Sequence, residues 1–233
     1  MAIADKLTQI ANNVPLVYNA GLEAGKSEGG DSWYDTFWDS YQQNGNRQNY
    51  QAAFPREGWN DVTFKPKYDM APTTCYQMFQ TCKITDLKKA LQDAGVKLDT
   101  KNSTSFTQFI QSSDITILPK IDLTDATNTS SAFATNVIQS IEELVVSETT
   151  PFSKTFDNAP NLTYMIVTGT IGRNGLDLHW SPLTHESLTS IINALKDFTG
   201  TGETRTVTLG STNLAKLTDT EKAIAEAKGW TLA

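Results

Sequence analysis

The chain has 233 residues, 39% of them apolar and 19% charged, enough to bury a sizeable core as one large domain or one domain with an appendage. A formal net charge of −7 and a pI of about 4.8 give no electrostatic pull toward phosphates, so no nucleic acid and no membrane surface is expected as a partner. No apolar run approaches the roughly 20 residues that span a bilayer, and two cysteines, Cys75 and Cys82, are too few for a disulfide framework or a four-ligand zinc site.

Ile3, Leu7, Ile10, Val14, Val17 and Gly21 follow a heptad spacing, which predicts a short helix packing on a partner helix or on the body of the chain. Pro15 kinks or divides it, because proline removes a helical hydrogen bond. Ile3, Leu7, Ile10, Val14 and Val17 are the candidate homo-oligomer positions. The polar joint Gly25 to Asp31 closes this segment, residues 1–30.

Residues 31–74 read as a helical and loop-like N-terminal cap. Ser32 and Asp35 can start a helix carrying the stripe Trp33, Tyr34, Phe37, Trp38 and Tyr41. A stripe at helical spacing is read as core rather than as a stacking platform. Pro55, Gly58, Pro66 and Pro72 mark a loop, and Trp59, Phe64 and Tyr68 are expected to pin it to the body.

Residues 75–233 are expected to form one repetitive unit. Tyr76 to Phe79, Ile84, Leu87 and Leu91 read as a helix stopped by Gly95, with Val96-Lys97-Leu98 as a first strand. Then an aromatic residue leads three times through a polar segment into an apolar strand: Phe109 to Ile121-Asp122-Leu123, Phe133 to Leu144-Val145-Val146, and Phe156 to Met165-Ile166-Val167. The strand centres Asp122, Val145 and Ile166 lie 23 and 21 residues apart. That period is one in which each turn of chain supplies a strand and stacked turns share a core. The expected fold class is therefore α/β, a short leucine-rich-repeat-like solenoid. Its parallel strands would be joined by helical or irregular returns.

Leu176-Asp177-Leu178 reads as a truncated turn or a hairpin return through Gly172 to Gly175. Pro182 opens a helix through Leu195 that ends by Gly200 and Gly202. Arg205 to Leu209 is a strand, Thr218 and Glu221 form a capping box, and Trp230-Thr231-Leu232 closes the unit as a strand after Gly229.

The phrases Trp38 to Arg47, Gly58 to Asp61, Phe64 to Asp69, Lys83 to Leu91, Trp180 to Leu183 and Gly229 to Leu232 resemble prophage-type leucine-rich-repeat proteins of gut bacteria, whose repeats are BspA-like. The resemblance covers nearly the whole chain. It implies a leucine-rich-repeat fold and a non-enzymatic binding or structural role, as in a phage particle, and it brings no catalytic residues. BspA-like surface proteins are exported. No signal peptide opens this chain, so host cytoplasm or a phage particle is the expected location.

The remaining motifs have simpler readings. Ala20 to Ser27 matches a relaxed phosphate loop, in which Gly25-Lys26-Ser27 would cradle phosphates and hold magnesium. It follows a heptad helix rather than a buried strand, so a nucleotide-dependent enzyme is only the alternative, beside an oligomeric scaffold built on the N-terminal helix. His185 and Glu186 lack a second histidine at metalloprotease spacing and fall in a first helical turn, where a carboxylate is favoured anyway. Gly169, Gly172 and Gly175 read as turn residues. Asn102, Asn128 and Asn161 sit in glycosylation sequons by chance in a Ser/Thr/Asn-rich chain. Cys75 and Cys82 are expected as buried thiols. No enzyme, metal or cofactor is expected.

Alternation along the strands points Ile121, Leu123, Leu144, Val146, Met165, Val167, Leu176, Leu178, Val207 and Leu209 inward. Outward go Lys120, Asp122 and Thr124; Glu143, Val145 and Ser147; Tyr164, Ile166 and Thr168; Asp177 and His179; Thr206 and Thr208. Aligned in one ribbon, Asp122, Val145, Tyr164, Ile166, Asp177, His179 and Thr208 form the expected site for a protein or glycan ligand, centred on Tyr164 and Ile166.

Overall fold

A computed structural model of the chain describes residues 50, 52–54 and 58–233. The heptad positions Ile3, Leu7, Ile10, Val14 and Val17, the Gly25-Lys26-Ser27 motif and the Trp33 to Tyr41 stripe lie outside the described residues.

The architecture is mixed α/β, with two small parallel sheets and no closed barrel among the described residues. In chain order the elements are α1 (Leu87–Ala94), β1 (Ile117–Leu118), β2 (Ile121–Asp122), β3 (Ser140–Val146), β4 (Tyr164–Gly169), α2 (His185–Ala194), β5 (Arg205–Val207), α3 (Ser211–Leu214), α4 (Asp219–Ala227) and β6 (Trp230–Leu232). Ser140 pairs with both Ile117 and Tyr164, and Leu144 with both Ile121 and Val167. Hence β1 and β2 follow one another along one edge of β3, and β4 runs along the other. The second sheet is β5 beside β6.

All ten residues expected to point inward are buried, including Ile121, Leu144 and Met165. The third strand centre, however, is displaced. Asp122 faces Val145, and Val145 faces Thr168 rather than Ile166. A bulge in β3 sets Glu142 and Glu143 opposite Ile166 alone, and the extra residue shifts everything beyond it by one position.

The Phe-led segments are not helical. Tyr76 to Phe79 was expected to open a helix, but Gln77 (φ 52°) and Thr81 (φ 59°) are left-handed, which no α-helix of L-residues accommodates. Alternate N–H groups instead bond in parallel to the next segment: Cys75 to the Ser105 carbonyl (2.8 Å), Gln77 to Thr107 (3.0 Å) and Phe79 to Phe109 (2.9 Å). Phe106 bonds likewise to Asn128 (2.7 Å), and Phe133 to Thr155 (2.9 Å). Gln77, Gln108, Ser131 and Lys154 take the same left-handed turn in successive segments. The rings of Phe54, Phe79, Phe109, Phe133 and Phe156 touch in sequence, with centroids 5.0, 5.6, 6.4 and 5.2 Å apart. Aromatic pairs at such distances contribute about 0.5–1.5 kcal/mol beyond the area they bury.

Buried hydroxyls tie the segments laterally. Thr135 Oγ1 donates to the Ser113 carbonyl (2.9 Å), and Ser181 Oγ to the Ala159 carbonyl (3.0 Å), each reaching 22 residues back. Ser103 Oγ donates to the Pro72 carbonyl (2.5 Å), 31 residues back. Buried hydroxyls are tolerated because each of these meets a backbone carbonyl.

The helices start and stop on their caps. Asp86 accepts the Lys89 N–H to begin α1, and Gly95 ends it with φ 66°. The α1 helix therefore starts eleven residues after the expected Tyr76. Thr184 caps α2, just past Pro182. Thr218 and Glu221 form the expected capping box of α4, and Gly229 turns the chain with φ 84° into β6. Two expected strands shrink to single bridges: Leu98 pairs only with Met70, and Asp177 with Thr208.

A strand-sheet face and a tryptophan corner

The expected ribbon divides into two places. On the β1–β4 sheet, Asp122, Val145 and Thr168 lie side by side, and Tyr164 and Ile166 sit on β4. Val145, Tyr164 and Ile166 are half-buried, neither in the core nor fully open. The charged rim is ordered. Thr168 donates to Glu143 (2.7 Å) and Lys120 pairs with the same carboxylate (3.0 Å). The Thr168 hydroxyl, followed by the Lys120 ammonium, holds the Glu143 carboxyl below its usual range. Asp122 is fixed by its own turn, its Oδ1 accepting the Thr124 N–H (2.8 Å). It also borders a groove of about 430 Å³, lined with Leu91, Val96, Leu98, Lys88 and Lys120.

Asp177, His179 and Thr208 gather elsewhere. Gly175 approaches the Ser153 backbone, a Cβ there meeting Ser153 N at 3.7 Å, and Ser181 bonds to Ala159. These two approaches set residues 175–181 alongside 153–159, in the stack of Phe-led segments. On the other flank Leu178 donates to the Thr208 carbonyl (2.7 Å). The expected single ribbon is thus corrected, because Leu176 to Leu178 extends the Phe-led stack and not the β2–β4 sheet.

At this second place His179 Nδ1 lies 2.5 Å from Asp177 Oδ1, which also accepts the His179 N–H (3.1 Å). The Trp180 ring packs with its centroid 4.5 Å from that of the imidazole, and the residue is 62% exposed. Sequence reasoning assigned Trp180 no site role. Its neighbours Leu178 and Ser181 are buried, and that in–out pattern is the one signal that could have pointed the indole to solvent.

Other candidates have structural roles. Cys75 and Cys82 are free and buried, and burial pushes both thiols up to about 12. His185 Nε2 meets Glu221 (3.0 Å), which also accepts from Thr189 (2.7 Å), so this cluster fastens α2 to α4. Glu186 lies in the first turn of α2. Among the described residues no three His, Cys, Asp or Glu side chains are grouped to hold a metal ion, and no helix is long and apolar enough to cross a membrane.

Comparison of the chain with protein-family models, with curated proteins and with solved structures finds no match in any of the three.

Proposed function

We propose that the protein is a non-catalytic binding or structural module, a short leucine-rich-repeat-like solenoid of the BspA-like prophage kind, acting as a component of a phage or prophage particle. The observation that carries the binding role is the half-buried group Val145, Tyr164 and Ile166 on the outer side of a parallel sheet. Apolar side chains at the middle of such a face, with a rim pre-ordered by Lys120, Glu143 and Thr168, suit contact with a protein or glycan. The solenoid reading is supported by hydroxyl-to-carbonyl bonds that recur 22–24 residues apart, within the period of such repeats.

A photoreactive residue placed at Ile166, and separately at exposed Asp93, tests the reading in intact particles or host lysate. The expected result is one defined adduct from position 166 that is absent from position 93 and lost on Tyr164→Asp. Equal labelling from both positions would refute it. ATP or GTP binding abolished by Lys26→Ala would replace it with a nucleotide-dependent activity.

A further inference from the structure

We propose that Trp180, His179 and Asp177 form a binding subsite for a neutral pyranose sugar, separate from the strand face. The chain between Gly175 and Ser181 is clamped on both sides. On one flank, Gly175 lies against Ser153 and Ser181 bonds to Ala159. On the other, Asp177 bridges to Thr208, and a Cβ at Gly210 would stand 3.0 Å from the His179 backbone. With Leu178 and Ser181 buried, Trp180 between them remains largely exposed to solvent, covered in part by the His179 ring.

A tryptophan 62% exposed adds little to the core, yet this one is held in place. Asp177 fixes the imidazole at 2.5 Å, and the imidazole packs on the indole at 4.5 Å. A ring already fixed loses little freedom when a ligand stacks on it, which is how rigid aromatic anchors gain affinity. Three polar atoms here have no protein partner among the described residues: Asp177 Oδ2, His179 Nε2 and Trp180 Nε1.

The surroundings choose the ligand class. In the neighbouring segment Asp157 and Asn158 are exposed, as are Asp177, His179 and Trp180. One apolar plane in a polar, acidic rim lacks the apolar surround that a protein hot spot uses to exclude water. It fits a sugar, whose C–H face stacks on the indole while its hydroxyls donate to the Asp177 carboxylate. That carboxylate disfavours an anionic sugar, and one aromatic plane makes no cage for a quaternary ammonium.

Titration of the full chain with neutral oligosaccharides of glucose, galactose and N-acetylglucosamine, followed by calorimetry, tests this. The expected result is saturable binding of at least one of them. Trp180→Ala should abolish it, and Asp177→Asn, which removes a charged acceptor, should weaken it about tenfold. Tyr164→Asp should leave it intact, so the subsite and the strand face fail independently. The denaturation midpoint of each variant shows that it folds. No saturable change with any of these sugars, a change that survives Trp180→Ala, or saturation by choline alone would overturn the proposal.

Discussion

Ser190 on α2 accepts the backbone N–H of Val167 on β4 at 3.0 Å, and Ser187, one helical turn earlier, accepts that of Met165 at 3.0 Å. The two hydroxyls stand where a further parallel strand would offer carbonyls. An open strand edge is a template for association, and here a helix closes it with side chains. Ser187→Ala and Ser190→Ala each leave an N–H without a partner, so each is expected to cost about 1–3 kcal/mol, with the fully buried Ser187 at the upper end. The double variant should also self-associate. Urea midpoints and light scattering check both, and unchanged values would mean that water serves the edge equally well.

Removing one ring from the phenylalanine column should be felt on both sides of it. Phe109 is fully buried and touches Phe79, Phe106 and Phe133. Phe109→Ala is expected to cost about 3–5 kcal/mol, the range for a buried phenylalanine truncation. Exposed Trp180→Ala should stay within about 0.5 kcal/mol of wild type. Denaturant midpoints that rank these two the other way would remove the column from the core.

Two left-handed residues should respond oppositely to exchange. Gly169 has φ 89°, and a Cβ there would fall 2.0 Å from the Val146 carbonyl oxygen, so Gly169→Ala must displace backbone at the end of β4. Lys154 is exposed with φ 57°, a conformation that costs an L-residue about 1–2 kcal/mol, against the roughly 0.5–1 kcal/mol of entropy that glycine loses. Lys154→Gly is expected to be neutral or stabilising by up to about 1 kcal/mol in urea denaturation. A clear loss would show that the lysine side chain contributes more than its backbone strain removes.

Acid should loosen the junction of α2 and α4. The Thr218 backbone N–H, then the Thr189 and Thr218 hydroxyls and His185, bring the Glu221 carboxyl down to about 2 from an ordinary 4.5. A depressed carboxyl contributes stability that is complete above the unfolded value and lost as pH falls toward the folded one. The stability difference between wild type and Glu221→Gln should therefore be constant above about pH 5 and shrink between 4.5 and 2. A difference that did not change over that window would show that the carboxylate gains nothing from these partners.

The strand interiors were legible because period-two alternation has few alternative readings, and Ile121, Leu144 and Val167 announce it. The caps were legible for a similar reason: Thr218 with Glu221, and Gly95, act within one turn of chain. The segment Cys75 to Cys82 was not. Its buried residues Cys75, Met78, Phe79 and Cys82 fall at i, i+3, i+4 and i+7, the helical spacing, and nothing in glutamine or threonine announces a left-handed residue. The candidate site was half legible. Tyr164 and Ile166 followed from alternation, but the bulge at Glu142 and Glu143 moved Ile166 out of line with Val145. The departure of Asp177 and His179 to another face depended on long-range pairing with Thr208, which local pattern does not encode.

The hydroxyl ties have a consequence for how such a chain can change length. Thr135, Ser147 and Ser181 each reach a carbonyl 22 or 23 residues back. Inserting a residue between two such anchors shifts every later donor away from its acceptor and turns buried positions outward, unless a bulge absorbs it, as at Glu142. On the proposed solenoid reading, excising 22 or 23 residues, one full spacing between anchors, is expected to restore such contacts. Descendants of this sequence should accordingly differ by whole spacings or by changes confined to exposed loops such as the one at Gly200 to Gly202, and seldom by one or two residues between anchors.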